Sequence, residues 1–366
     1  MPRTSQIVSL AYRVPDGKLT HADIQQRFGA EVADKIAVSS GILERRVVSP
    51  DQCASDLAVA AAEDLFADTG IARDSIDLLV YATQTPDYLL PTTACIMQRR
   101  LGLRTSVAAF DVNLGCSQYV YSLAIAHSML VAGLARRALV MTGDTVSRII
   151  NPADRAVVPL FGDAGTATVL EAKEGAGGFR DFLLGTDGSG ADALIWPTSG
   201  LREPRTPESA LAVADSTGAI RRRDDMFMEG AKVFLFTLKT VPELVKNLVQ
   251  RNGLEVADVD LFVFHQASEL IVMSAAKRLG IPHEKLHFKL HDVGNSGGST
   301  VAIALADAWM SGKVRPGIRV VLVAFGVGLS WGASLLEWPT EGFLGAHCHV
   351  DFSASPEKPR AQEGSP

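Results

Sequence analysis

The chain repeats itself, and the repeat limits the folds open to it. Asp74-Ser75-Ile76-Asp77-Leu78-Leu79-Val80-Tyr81-Ala82-Thr83-Gln84 parallels Ala257-Asp258-Val259-Asp260-Leu261-Phe262-Val263-Phe264-His265-Gln266-Ala267. Asp111-Val112-Asn113-Leu114-Gly115-Cys116 parallels Asp292-Val293-Gly294-Asn295-Ser296-Gly297. Each of these is followed by an Ala-rich helical stretch ending near Gly133 or Gly312, and then by an apolar strand over 138–142 or 320–324. Phe161-Gly162-Asp163-Ala164-Gly165 is echoed by Phe325-Gly326-Val327-Gly328. Such self-similarity means one structural unit used twice. Strands alternating with helices predict parallel sheets covered by helices on both faces. The expected fold is therefore α/β, with two pseudo-symmetric βαβ-type halves about a pseudo-twofold axis. The boundaries read as an N-terminal half over 1–171, connecting loops and a cap over 172–225, and a C-terminal half over 226–340. A tail over 341–366 is expected to be disordered, its polar end at 353–366 above all.

The repeat also predicts a site. Residues 107–112 read as a buried strand, 113–115 as a tight turn and 117–131 as a nearly all-round buried helix. Cys116 stands where turn becomes helix. Free N–H groups and the helix dipole there favour an anion, which predicts a thiol ionising below its usual value of about 8.5. The plain alternative is an inert core cysteine. Asn295 occupies the matching turn of the other half, and His265 ends a strand of that half. Ligand sites gather where strand ends meet, so the repeat brings Cys116, His265 and Asn295 toward one pocket.

Cysteine as nucleophile would take an acyl group from a thioester and form an acyl-enzyme. His265 and Asn295, two neutral donors, would stabilise an enolate on one carbonyl oxygen, which suits decarboxylation of a malonyl thioester. The backbone N–H groups of Cys116 and Val327 are candidates for the oxyanion hole. Competing readings make His265 a core histidine and Asn295 a turn residue. A papain-like protease also uses Cys, His and Asn in that order, but the doubled α/β pattern and the missing cysteine signature oppose it. Transfer to an alcohol or amine without decarboxylation would not need Asn295, and a non-catalytic partner subunit would not need the trio.

Composition narrows the setting. A chain of 366 residues with 47% hydrophobic content can bury a large core. A formal net charge of −6 gives no case for nucleic-acid binding. No apolar run nears the roughly 18 residues that span a bilayer. The start, Met1-Pro2-Arg3-Thr4-Ser5, does not read as a signal peptide. Cys53, Cys95, Cys116 and Cys348 have no metal-type spacing, which predicts free thiols in a reducing cytoplasm. His347-Cys348-His349 lacks a fourth ligand, so no metal is expected. Locally, helices are expected over 20–28 (capped by Thr20), 55–68, 91–101 and 228–252, the last kinked or restarted at Pro242, with a turn over 39–42.

Taken together, the motifs resemble those of the β-ketoacyl-acyl-carrier-protein synthases III, thiolase-fold condensing enzymes. They are Ser40-Gly41-Ile42-Leu43-Glu44-Arg45-Arg46, Pro91-Thr92-Thr93-Ala94-Cys95, Phe110-Asp111-Val112 with Cys116, Phe161-Gly162-Asp163-Ala164-Gly165, His265-Gln266-Ala267, Gly294-Asn295-Ser296 and the run from Phe325 to Gly332. The likeness spans residues 5–337. It implies a layered α-β-α-β-α sandwich and an acyltransferase with Cys116 as acyl acceptor and His265 and Asn295 driving decarboxylation. It further implies a homodimer, no metal or redox cofactor, and CoA and acyl-carrier-protein thioesters as substrates, in fatty acid or specialised-metabolite synthesis.

The resemblance also marks departures. Lys35 and Ser39 stand where a tryptophan and an arginine clasp the CoA adenine, although Arg155 is kept. Ser268 replaces an asparagine and Leu270 a basic residue, while Lys277 and Arg278 remain for carrier-protein docking. Leu90 stands where a partner-chain phenylalanine closes the acyl pocket, and Val327 replaces a glycine. Phe325 and Gly326 complete the implied substrate contacts.

Overall fold

The computed structural model describes residues 3–215 and 218–349. The expected disorder over 353–366 lies outside them. Ten strands build two sheets. They are β1 (Arg3–Arg13), β2 (Leu78–Ala82), β3 (Ala108–Val112), β4 (Arg137–Thr145), β5 (Asp163–Glu174), β6 (Gly178–Thr186), β7 (Leu261–Phe264), β8 (Arg319–Gly326), β9 (Ser330–Glu337) and β10 (Ala346–His349). The first sheet runs β10-β1-β5-β4-β2-β3 and the second β7-β8-β9-β6. Eight helices pack on them: α1 (His21–Phe28), α2 (Ala30–Ser40), α3 (Ala54–Thr69), α4 (Thr93–Arg100), α5 (Gln118–Val131), α6 (Gly230–Arg251), α7 (Glu269–Leu279) and α8 (Thr300–Met310).

The layers follow from which faces are apolar. Ala58, Ala61, Ala62 and Leu65 of α3 and Met97 of α4 join Leu79, Tyr81 and Met141 in an outer core. Leu123 and Leu130 of α5 and Ile303 and Leu305 of α8 fill the middle, against Leu78 and Val80 of one sheet and Val320 and Leu322 of the other. Val245 and Leu248 of α6 and Val272 and Ala275 of α7 close the far face of the second sheet. The result is the α-β-α-β-α sandwich. Strands such as β2, buried at every residue, need that two-sided cover.

The two sheets match strand for strand: β1-β5-β4-β2 corresponds to β6-β9-β8-β7, with the same alternation of directions. Both sheets are mixed rather than parallel. β2 pairs parallel with β4, and β7 with β8, whereas β5 and β9 run antiparallel to their neighbours. Among the described residues the second half has no counterpart of β3; a bridge from Phe262 to Leu286 stands in its place. Residues 172–225, expected as loops and a cap, contribute the nine-residue β6. The tail expected from 341 contributes β10, parallel to β1 from Leu10/Ala346 to Arg13/His349. Thr20 caps α1 in a reciprocal capping box with Asp23, as its position predicts. The turn read over 39–42 is instead the end of α2, closed by Gly41 at φ 76°. Pro242 sits inside α6, which continues through it. Among the described residues no helix is long and apolar enough to cross a membrane.

Glycine sets the closest approach in the N-terminal half. A Cβ on Gly165 of β5 would lie 2.2 Å from the backbone nitrogen of Ala58 on α3. We expect Gly165→Ala to cost about 1–3 kcal/mol or more, because the clash is with backbone and no side chain can yield. Denaturant unfolding checks this; a stability within error of the parent would show that α3 can move away.

Candidate active site

Cys116 joins β3 to α5 and is buried. The strand before it is pinned at Asp111, whose carboxylate accepts the first N–H groups of α4 from Thr93 and Ala94, each at 2.7 Å. The nucleophile turn is pressed from the opposite half by the end of β8. A Cβ on Gly326 would lie 2.7 Å from Cys116 Sγ, and one on Gly115 would lie 2.1 Å from Val327 Cγ1. Both positions must be glycine for the halves to meet there.

That contact decides the state of the thiol. The backbone N–H groups of Val327 and of Cys116 itself reach the sulfur and lower its pKa, but burial outweighs them and pushes the thiol up to about 12. The nearby Asp144 charge raises it further. The expected depression by the helix N-terminus is therefore reversed, because the dipole is a local effect and desolvation by the second half is the larger one.

His265 follows β7, and its N–H donates to Val323 O at 2.7 Å. Its Nδ1 lies 2.6 Å from Thr300 Oγ1, which also takes the Gln266 N–H at 3.3 Å. Nε2 is left as the ring nitrogen available to a ligand. Burial lowers the imidazole to about 3, so the ring is neutral. Phe325 meets it edge-on at 5.4 Å and 82°.

Asn295 is held by its backbone. Its N–H donates to Leu160 O at 2.9 Å, and its carbonyl accepts from Gly162 N–H at 3.0 Å. Its side-chain Oδ1 accepts from Gly297 N–H at 3.1 Å, which leaves Nδ2 free to donate. The Phe-Gly-Asp motif of one half thus positions the asparagine of the other.

Cys116, His265 and Asn295 line one cavity of about 350 Å³, with Phe325 and Gly326. Regions of the chain match the family models for 3-oxoacyl-[acyl-carrier-protein] synthase III over residues 110–188 and for its C-terminal part over 249–338. The β-ketoacyl-[acyl-carrier-protein] synthase III of Symbiobacterium thermophilum is 37% identical over 91% of this chain and 97% of its own. The chain belongs to the β-ketoacyl-acyl-carrier-protein synthase III family. Synthase III 3 of Streptomyces coelicolor is 37% identical over 93% of this chain and 98% of its own. A crystal structure of a 3-oxoacyl-(acyl-carrier-protein) synthase III superposes with a TM-score of 0.90 at 38% identity, covering 92% of this chain and all of that one. A synthase from Burkholderia xenovorans LB400 superposes at 0.87 and 33% identity, covering 95% and 98%. The chain is thus a thiolase-fold condensing enzyme that transfers acyl groups.

Within this synthase III family member the implied recognition residues divide. Ser39, at the end of α2, and Ser268, which caps α7, line the catalytic cavity beside Leu270. Lys35 is exposed one turn earlier on α2 and does not line it. Arg155 packs near Gly218 instead. Lys277 and Arg278 lie exposed in the last turn of α7, with Arg278 bonded to Leu238 O at 2.9 Å. Leu90 is 88% exposed and lines neither this cavity nor the one beside Val327. Val327 contributes its N–H to Cys116 and its side chain to an adjoining cavity of about 550 Å³. The two cavities share Leu194.

Sequence reasoning missed the start of α6, where Gly230, Ala231, Val233 and Phe234 form a cavity wall. The small-then-apolar run at that helix start was the available signal. It also missed Thr300, the partner of His265.

The buried thiol makes a measurable claim. Alkylation of Cys116 by iodoacetamide, followed by peptide mass, should rise about tenfold per pH unit through roughly pH 10. A plateau near about pH 8.5 would mean that the helix end stabilises the thiolate after all.

Proposed function

We propose that this enzyme loads an acyl group from an acyl thioester onto Cys116 and condenses it with malonyl-acyl-carrier protein to give a β-ketoacyl product. The observation that carries the reading is the convergence of Cys116, His265 and Asn295, from both halves, on one cavity. In the first step Cys116 sulfur attacks the thioester carbonyl, and the backbone N–H groups of Cys116 and Val327 hold the developing oxyanion. The donor's C–S bond breaks, and the thiol proton of Cys116 ends on the departing thiol. In the second step the malonyl C–C bond breaks and CO2 leaves. Its electrons move onto the thioester oxygen between His265 Nε2–H and Asn295 Nδ2–H. The enolate carbon then attacks the acyl carbonyl and the Cys116 thiolate departs.

The donor role of His265 needs the Nε2–H tautomer. The Thr300 hydroxyl must therefore donate to Nδ1 rather than to Gly297 O, 3.1 Å away. Thioester exchange and decarboxylation move no net electrons to an acceptor, so the reaction as written needs no redox cofactor, and the N–H donors named above stabilise the oxyanions that a metal would otherwise hold. Acyl-CoA or acyl-carrier protein serves as primer donor, in fatty acid or specialised-metabolite synthesis. Lys277 and Arg278 are the carrier-docking candidates. Four free thiols suit a reducing cytoplasm.

The roles separate by mutation. Cys116→Ala should form no acyl-enzyme yet still release CO2 slowly from malonyl-carrier protein. Asn295→Ala should acylate normally but lose condensation by about 10²–10³. Intact mass after incubation with a panel of acyl thioesters, together with CO2 release, checks both and names the primer. An Asn295→Ala enzyme that condenses at the parent rate would reduce Asn295 to a turn residue.

We also infer a homodimer. β3 ends the first sheet with its outer edge unpaired among the described residues, and Phe110 and Val112 are only partly covered. An apolar edge of this kind is a pairing surface unless it is blocked, and a second copy's β3 would continue the sheet. Sedimentation at micromolar concentration should give twice the chain mass; a monodisperse single chain would overturn this.

A further inference from the structure

Asp144, near the end of β4, is fully buried and takes no part in the steps above. Its Oδ1 accepts from the Gln84 N–H at 2.9 Å and the Thr83 hydroxyl at 3.3 Å. Its Oδ2 accepts from Gln118 Nε2 at 3.0 Å and the Gly298 N–H at 3.2 Å. Gln118 stands two residues beyond Cys116 on α5, and Gly298 three beyond Asn295. A single carboxylate oxygen is therefore bonded to both the nucleophile helix and the Asn295 loop.

Two glycines make the contact possible. Gly297 has φ +60°, and a Cβ there would lie 2.5 Å from Asp144 Oδ2. A Cβ on Gly298 would lie 2.1 Å from Gln118 Cγ. Hydrogen-bond donors rather than a paired cation offset the burial of the carboxylate. The titratable groups that feel its charge are Tyr81 on β2 and Cys116, and it raises the pKa of both. On α3, the neighbour of Gly143 is the backbone of Ala54, and the Asn295 loop over 294–300 carries no titratable side chain.

We propose that Asp144 is a positioning residue: as the carboxylate it clamps the nucleophile helix to the Asn295 loop, and uptake of a proton loosens that clamp. The inference rests on the reading of Asn295 as an enolate donor. A proton on Oδ2 would face the Gly298 N–H and the Gln118 amide, both donors. Gln118 Oε1 has no partner, so the amide can turn and accept that proton. The Gly298 N–H is then left with a neutral hydroxyl oxygen, a weaker acceptor than the carboxylate. The slack passes to the neighbouring Gly297 N–H, which holds Asn295 Oδ1.

Burial raises the Asp144 pKa to about 7, so the clamp holds above that pH and is lost as pH falls through it. Stability runs the other way. A carboxyl whose folded pKa lies above its unfolded value favours the fold below the unfolded pKa, and that contribution is lost as pH rises through about 7. The ionised form thus costs the fold stability, as a group kept for positioning would.

The test measures CO2 release from malonyl-carrier protein in the Cys116→Ala background, where thiol ionisation does not enter, together with thermal unfolding. The parent should lose activity about tenfold per unit as pH falls below about 7. Asp144→Asn should be slower by about tenfold or more at pH near 8, flat with pH, and no less stable than the parent there. Equal rates, or an unchanged acid limb, would overturn the clamp. Should Asp144→Asn not fold, Gln118→Met, which cuts one bond of the clamp at similar volume, decides by the same readout. Reduced CO2 release supports the clamp and parent-like release refutes it. If the full-length parent takes an acyl group yet neither it nor Cys116→Ala releases CO2, the decarboxylative reading itself fails, and the clamp falls with it.

Discussion

The backbone contact between Gly326 and Cys116 is the constraint on which the rest of the site depends. With Gly326 as close to the sulfur as a missing Cβ allows, no side chain separates the two halves at the nucleophile. The approach brings the Val327 N–H onto the sulfur, and it also excludes solvent from the thiol. One geometric fact therefore supplies the candidate oxyanion donor and raises the cost of forming the anion. Such a site gains its anion only when a reacting carbonyl shares the charge, so attack and proton loss are bound together.

The electrostatics of the cavity follow the same logic. Burial drives the Cys116 thiol up and the His265 imidazole down, leaving both neutral at rest. Asn295 and the backbone donors are also neutral. Negative charge then arrives only with the substrate or develops during reaction, where preorganised N–H groups in a dry site are most effective. Asp144 keeps a carboxylate close by, behind Gly297, Gly298 and Gln118, and it raises rather than lowers the thiol pKa. Its position is costly unless it holds something in place.

Much of this was legible in the chain because the repeat was legible. Matching turns at Cys116 and Asn295, with a strand ending at His265, place the trio from pattern alone. What escaped did so for physical reasons. β6 carries Arg180 and Asp181 and is only partly buried, so its apolar alternation is weak. β10, with two histidines and a cysteine, gains its order from pairing with β1, a tertiary event. Among the described residues the counterpart of β3 is missing where Lys289 and His291 stand opposite Ala108 and Phe110. Thr300 and Asp144 look like ordinary polar residues at element ends until their partners from the other half are known. The thiol shift was misjudged because sequence shows the helix end and hides what lies on top of it.

Two kinds of atoms build the cavity. Around Cys116 they are backbone N–H groups and buried side chains, fixed by glycine contacts that tolerate no added atom. Elsewhere they are side chains at the ends of α2 and α7. Ser39, Ser268 and Leu270 line the cavity there, while the cations Lys35, Lys277 and Arg278 stand outside it. Exposed or half-buried positions of this kind can change without disturbing the buried packing around Cys116, His265 and Asn295. Leu270 and the apolar start of α6 give that part of the wall no charged side chain, so a charge buried against it would go uncompensated.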